Sequence, residues 1–192
     1  MISKEISCVI LAGGKSSRMG TDKGLMDFNG KPMIQHIIDL VQKYFSDVMI
    51  ISNNDSYKKF NLPVYPDEFQ GSGPVVGILT GLTKSSTAWN FVVACDLPFL
   101  NSEILELLIS NRNGYDAVVP FHHGNPEPMC AMYNKSCLPA FKNNIASGVF
   151  KIQDAFPLFY VNYLQMQGHL FHDKNPFINL NSKEDIDGRI IP

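Results

Sequence analysis

Residues 11–24 read LAGGKSSRMGTDKG. Two glycines close an apolar run, and Lys15, Arg18 and Lys23 follow in the same loop. Without a Cβ, glycine lets backbone N–H groups approach a phosphate oxygen or a base edge closely. Lysine adds a point charge and arginine a forked pair of donors. The chemistry this pattern suits is the holding of an anion. Two familiar phosphate cradles do not fit it. A P-loop ending at Gly14 would need glycine where Val9 stands, and a dinucleotide fingerprint counted from Gly13 would need glycine at Lys15 and Arg18. A carboxylate elsewhere suits the same anion. Asp96 ends a second apolar run, FVVAC, just before Leu97-Pro98. Taken alone it is as well explained as a turn residue. Set across from a cationic phosphate loop, it becomes a fit ligand for Mg2+, which is commonly held by one or two carboxylates plus substrate phosphates. Asp67, in the loop before Pro74, and Ser52-Asn53, after the run VMII, add polar groups.

These residues need elements to hold them. Ile6–Ala12 is an apolar run broken only by Ser7 and ended by glycine, the mark of a strand buried on both faces. Pro32 is placed to open a helix whose apolar face is Met33, Ile34, Ile37, Ile38, Val41, Tyr44 and Phe45. Val48–Ile51, Pro63–Tyr65, Phe91–Cys95 and Ala117–Val119 read as further strands. Pro74 opens a helix with Val75, Val76, Ile78, Leu79 and Leu82, and Asn101 or Ser102 caps another. Alternating strands and helices imply parallel pairing and an α/β sandwich. Met129–Tyr133 reads as a strand reversing direction after the turn-rich FHHGNPEP, residues 136–156 as mostly helical with a break near Ser147-Gly148, and Asn175–Asn181 as a polar-apolar alternation. In parallel sheets ligands sit beyond the carboxyl ends of the strands, so Leu11–Gly14, Asn53, Asp67 and Asp96 are expected on one edge.

With 192 residues, 45% of them hydrophobic, the chain is long enough for a full core, and no linker or repeat divides it. A formal net charge of −2 gives no global field for nucleic acid or an anionic membrane. No apolar run approaches the ~20 residues of a membrane helix, and MISKEISCVI lacks the features of a signal peptide, so the expectation is a cytoplasmic protein. Cys8, Cys95 and Cys130 lie in apolar runs as small buried hydrophobes, and Cys137 completes no zinc or disulfide pattern. The five histidines form no recognisable metal set. Phe150, Phe156, Phe159 and Tyr160 are expected to pack inward.

LAGGKSSRMGTDK resembles the signature of the molybdopterin nucleotidyltransferases, LAGGxSxRMGxDK, and within them the molybdenum cofactor guanylyltransferases. GSGPVVGILTGL, ACDLPFL and FINLNSKEDI resemble three further family segments, so the likeness spans nearly the whole chain. Ser17 stands where many relatives carry arginine, and Ser182-Lys183 where they carry Thr-Pro. The resemblance implies a single-domain, Rossmann-like three-layer α/β sandwich with a mostly parallel sheet, residues 1–120 forming a nucleotide-binding half and 121–192 an acceptor-binding half. It implies magnesium-dependent transfer of GMP from GTP to molybdopterin, or to its molybdenum-loaded form, with release of pyrophosphate. By position, Leu11, Ala12, Gly13 and Gly14 would meet the nucleotide and Lys23 its phosphates. Asn53 and Asp67 would help to hold the nucleoside, Asp96 would bind magnesium, and Arg18, Asn179 and Asn181 would serve the pterin side or nearby phosphates. Partners would be the two substrates and, transiently, proteins that make or receive the cofactor, with no nucleic acid and no membrane. Pro128 matches the family's strand entry only loosely.

Such a reaction needs no strong general base, because a phosphate monoester is already anionic near neutral pH, with a second pKa of about 6. It needs cations that relieve repulsion and escort pyrophosphate, the work assigned to Lys23, Arg18 and a metal on Asp96. CMP transfer from CTP, a sugar-phosphate nucleotidyltransferase and a non-catalytic nucleotide or cofactor carrier remain as alternatives.

Overall fold

In the computed structural model the described residues are 3–13, 22–69, 73–166 and 175–180. The strands are β1 (Ser3–Leu11), β2 (Asp27–Phe28), β3 (Lys31–Pro32), β4 (Phe45–Ile51), β5 (Val64–Tyr65), β6 (Trp89–Ala94), β7 (Ala117–His122), β8 (Asn125–Pro126), β9 (Cys130–Asn134) and β10 (Val161–Gln165). The α-helices are α1 (Met33–Val41), α2 (Pro74–Lys84), α3 (Ser102–Ser110) and α4 (Leu138–Ala146). The main sheet runs β10-β7-β9-β6-β1-β4-β5, with β8 attached to β7 and β2–β3 a separate hairpin. β1 pairs parallel with β4 and β6, and β4 with β5. β9 runs antiparallel to both β6 and β7, the reversal expected from the turn-rich segment before it. The carboxyl ends of β1, β4, β5, β6 and β7 therefore share one edge.

Alternate residues of β1 enter different cores. Cys8 and Ile10 pack with Ile34, Ile37 and Ile38 of α1 and Ile104, Leu105 and Leu108 of α3. Val9 and Leu11 pack with Val75, Ile78 and Leu79 of α2 and Phe141 of α4. Both faces of the central strand are thus covered by helices, which is why Cys8–Leu11 is apolar without alternation. All four cysteines are buried. Close approach of α2 to the sheet depends on Gly81, where a Cβ would lie 2.3 Å from a Val9 methyl.

The elements depart from the sequence reading in several places. α1 stops at Val41, and Phe45 opens β4, where it stacks on Phe91 with ring centroids 5.7 Å apart. Tyr44 and Phe45 are in phase with the helix, but pairing of Phe45 with Ser3 of β1 recruits it to the sheet. Pro32 is the residue before the helix, in extended backbone, not its first helical residue. The segment after α4 breaks at Ser147-Gly148 and continues as 3-10 turns over Ile152–Leu158. Phe150, Phe156 and Phe159 pack on the α2–α4 core as expected, whereas Tyr160 is 77% exposed beside the edge strand β10. Residues 175–180 form turns and extended chain without strand pairing among the described residues.

Candidate active site

Register alone brings the two ends of the proposed site together. Leu11 is paired with Ile51 on one side and Ala94 on the other. Past the ladder, Ala12 N–H donates to the Ile51 carbonyl at 3.0 Å and Cys95 N–H to the Leu11 carbonyl at 3.0 Å. Leu11 and Ala12 are buried and Gly13 is exposed, so the chain emerges at the sheet edge where Asp96 also emerges.

Asn53 and Asp67 form a reciprocal pair. Asn53 Nδ2 donates to Asp67 Oδ2 at 3.2 Å, and Asp67 N–H donates to Asn53 Oδ1 at 3.0 Å. The carboxylate hangs beside α2, where a Cβ on Gly77 would lie 3.1 Å from Leu11 Cδ2 and 3.7 Å from Asp67 Oδ1. Leu11, Asn53 and Asp67 thus face one corner at the start of α2. Burial raises the Asp67 pKa above the usual carboxylate value, and the Asn53 hydrogen bond opposes it.

Lys23 opens a 3-10 turn, Lys23–Leu25, capped by Asp22, which accepts Gly24 N–H at 3.2 Å. Asp22 also accepts from Asn54 Nδ2 at 3.0 Å and from the hydroxyl of Tyr57. Gly24 is indispensable here, since a Cβ would meet the Tyr57 hydroxyl at 2.4 Å and Cys95 Sγ at 2.9 Å. Sequence reasoning gave Asp22 and Tyr57 no role. An aspartate two residues before the glycine is a cap signal, but the contact with Tyr57 is tertiary.

Asp96 is mostly buried. Its Oδ1 has no hydrogen-bond partner among the described residues. Burial raises its pKa, and the positive charge of Lys23 draws it back down. A buried carboxylate oxygen without a donor is costly unless a cation or donor reaches it. Among the described residues no three or more His, Cys, Asp or Glu side chains gather as a metal cage. One carboxylate beside a lysine therefore fits a hard cation shared with substrate phosphates, and does not fit an all-protein metal centre.

The C-terminal segment reaches the same place. Leu180 N–H donates to the Asp96 carbonyl at 3.3 Å, and Leu180 packs with Phe28 and Met33. Asn179 is thereby set beside Asp96. Gly14, Arg18 and Asn181 lie outside the described residues. Lys23, Asn53, Asp67, Asp96, Asn179 and Leu11–Gly13 do share the carboxyl edge.

The family model described as the MobA-like NTP transferase domain matches residues 8–154. A probable molybdenum cofactor guanylyltransferase of Carboxydothermus hydrogenoformans is 34% identical over 185 residues, covering 95% of this chain and 93% of its own. One of Natranaerobius thermophilus is 33% identical over 195 residues, covering 97% and 95%. The crystal structure of the molybdopterin-guanine dinucleotide biosynthesis protein A of Archaeoglobus fulgidus superposes with a TM-score of 0.80 at 25% identity, over 95% of each chain. Signature loop, strand-end aspartate and fold converge on one assignment: the chain belongs to the family of MobA-like NTP transferase domains.

Proposed function

We propose that this chain transfers GMP from GTP to molybdopterin, or to its molybdenum-loaded form, and releases pyrophosphate. The observation that carries the reading is the likeness, over nearly the whole of both chains, to relatives named probable molybdenum cofactor guanylyltransferases. The site supports it with a carboxylate partner for a cation, a lysine beside it, and a second carboxylate in a separate corner.

In this reading an oxygen of the acceptor's terminal phosphate attacks the α-phosphorus of GTP, forming a new P–O bond. The bond from the α-phosphorus to the bridging oxygen breaks, and its electron pair leaves with pyrophosphate. Leu11, Ala12 and Gly13 border the nucleoside, and the Asn53–Asp67 pair accepts the N1–H and N2–H donors of guanine. Lys23, with Arg18, neutralises the phosphates and the developing charge of the leaving group. Asp96 would hold magnesium, which when bound would supply electrostatic stabilisation of the developing negative charge. Asn179 and Asn181 serve the acceptor side. No residue needs to act as a strong base, since the attacking phosphate is already ionised.

Pyrophosphate release, measured with purified protein, molybdopterin, magnesium and either GTP or CTP, tests the reading. Turnover with GTP well above that with CTP is expected. Preference for CTP, or no acceptor-dependent release with either nucleotide, overturns it.

A further inference from the structure

Glu127 is a carboxyl group that the mechanism above leaves unused. Its backbone is fixed: its N–H donates to the Pro120 carbonyl at 2.8 Å, and its own carbonyl accepts Cys130 N–H at 3.1 Å. Its side chain is half-buried, yet among the described residues the carboxylate has no ion pair and no hydrogen-bonded donor. Burial alone raises its pKa to about 7. A folded protein rarely keeps such a group without a partner, because the ionised form then loses water and gains nothing.

Its place in the fold is informative. Ala94 N–H donates to the Met129 carbonyl at 2.8 Å, so the turn that carries Glu127 flanks the strand end leading to Asp96. Burial, and then the Glu127 charge, raises the pKa of Cys130, whose side chain packs in the same core as Phe177. Glu127 thus stands three residues before the start of β9, whose first side chain packs in the core that holds Phe177. Phe177 in turn meets His122, at the end of β7, with ring centroids 5.2 Å apart. Three residues further on, Leu180 bonds the Asp96 backbone. Glu127 and the 175–180 segment thus line the carboxyl edge over β6, β9 and β7. Asp67 lies beyond β5, on the opposite side of Asp96.

Guanine and a pterin share a 2-amino-4-oxopyrimidine ring, and each presents a ring N–H beside an exocyclic amine. A carboxylate accepts both donors of either ring. Resting on the guanylyl-transfer reading, we propose that Glu127 is the acceptor-side counterpart of Asp67: its carboxylate receives the paired N–H donors of the acceptor's pterin ring, while the acceptor phosphate extends toward Asp96 and Lys23. One reaction centre would then lie between two carboxylates, each holding one of two chemically similar rings.

The test compares wild type with Glu127→Gln and Glu127→Asp in two assays, fluorescence titration with 6-hydroxymethylpterin and pyrophosphate release with GTP and molybdopterin. Loss of a charge-assisted pair corresponds to about ten- to a hundredfold weaker binding. Glu127→Gln is expected to weaken pterin binding and raise the acceptor KM by that factor, with the GTP KM unchanged, and Glu127→Asp to recover part of the loss. Glu127→Gln should unfold at or above the wild-type temperature, which separates recognition from fold. Pterin binding by Glu127→Gln equal to wild type, equal losses toward GTP and acceptor, or no pterin binding by wild type each overturn the proposal. Glu127-dependent pterin binding without GMP transfer leaves it standing and removes the guanylyl-transfer reading alone.

Discussion

The buried hydroxyl of Tyr57 donates to Asp22, and Asp22 caps the turn that starts with Lys23. Burial, then Cys95 and Asp22, hold that hydroxyl protonated. Lys23, proposed to bind phosphate, is thus tied to the sheet through its neighbour Asp22. Tyr57→Phe removes one of three donors to Asp22. It should lower kcat several-fold, at a stability cost of about 1 kcal/mol. Gly24→Ala should be severe in the wild type, where the new methyl meets the Tyr57 hydroxyl. It should be milder in the Tyr57→Phe background, where that oxygen is gone. Additive effects in the four-member cycle, read by kcat and thermal unfolding, would refute the anchor.

Lys23→Ala tests the cation itself. In the proposed reaction its charge would act on bound GTP and on departing pyrophosphate alike, so GTP affinity and turnover should fall together. Equilibrium GTP binding and steady-state rates decide it. If both survive, Lys23 does not touch the phosphates.

Asp96 predicts opposed effects on stability and activity. Its folded pKa is raised, so at neutral pH the ionised form opposes folding, and this penalty fades as pH falls and the group protonates. Asp96→Asn should therefore melt a few degrees higher than wild type at pH 7 without metal, and the gap should close on acidification. Turnover should be almost abolished. Magnesium with GTP should raise the melting temperature of wild type by mass action and leave the variant unmoved. Equal magnesium-dependent stabilisation of both proteins would reject Asp96 as the metal ligand.

Much of this edge was legible because its causes are local. Cys8–Ala12 is apolar throughout since both faces of β1 are covered, and Asp96 stands out against the run before it. What the chain order hides is tertiary. Tyr57 lies in NNDSYKKFN, which reads as a polar loop, and only folding carries it under Asp22. β10 was missed because VNYLQ is a half-exposed edge strand without a continuous apolar face. Helical phase at Tyr44 and Phe45 gave a longer α1, and pairing with Ser3 overrode it. Glu127 has no local signal, since its distinction is the absence of a side-chain partner among the described residues.

Asn53 and Asp67 should set the choice of base. Asn53 presents the carboxylate in one geometry by bonding both its side chain and its backbone. Asp67→Asn exchanges one acceptor oxygen for a donor, which opposes guanine's N–H pair. It should lower kcat/KM for GTP by about ten- to a hundredfold and alter that for CTP much less. Asn53→Ala frees the carboxylate and should give a smaller loss in the same direction. Unchanged GTP-over-CTP preference in both variants would move base selection to the Leu11–Gly13 backbone.

The opposite edge of the sheet should answer to stability alone. Ser7, fully buried in β1, donates to Asp47 at 2.6 Å and lies 2.7 Å from the Thr87 hydroxyl, while Ser86 donates to Asp47 at 2.7 Å. Burial works against ionisation of Asp47, yet the Ser7 and Ser86 hydroxyls prevail and its folded pKa is lowered. Its contribution is then present above the unfolded carboxylate range, near pH 4, and is lost as pH falls through the lower folded value. Ser7→Ala removes a buried donor and leaves Thr87 and Asp47 short of a partner. It should cost about 1–2 kcal/mol by urea unfolding at pH 7 and less below pH 3. Because β1 carries Leu11 at its other end, nucleotide KM and kcat at temperatures well below unfolding should not change. A changed kcat with unaltered stability would mean that this end of the strand transmits to the site.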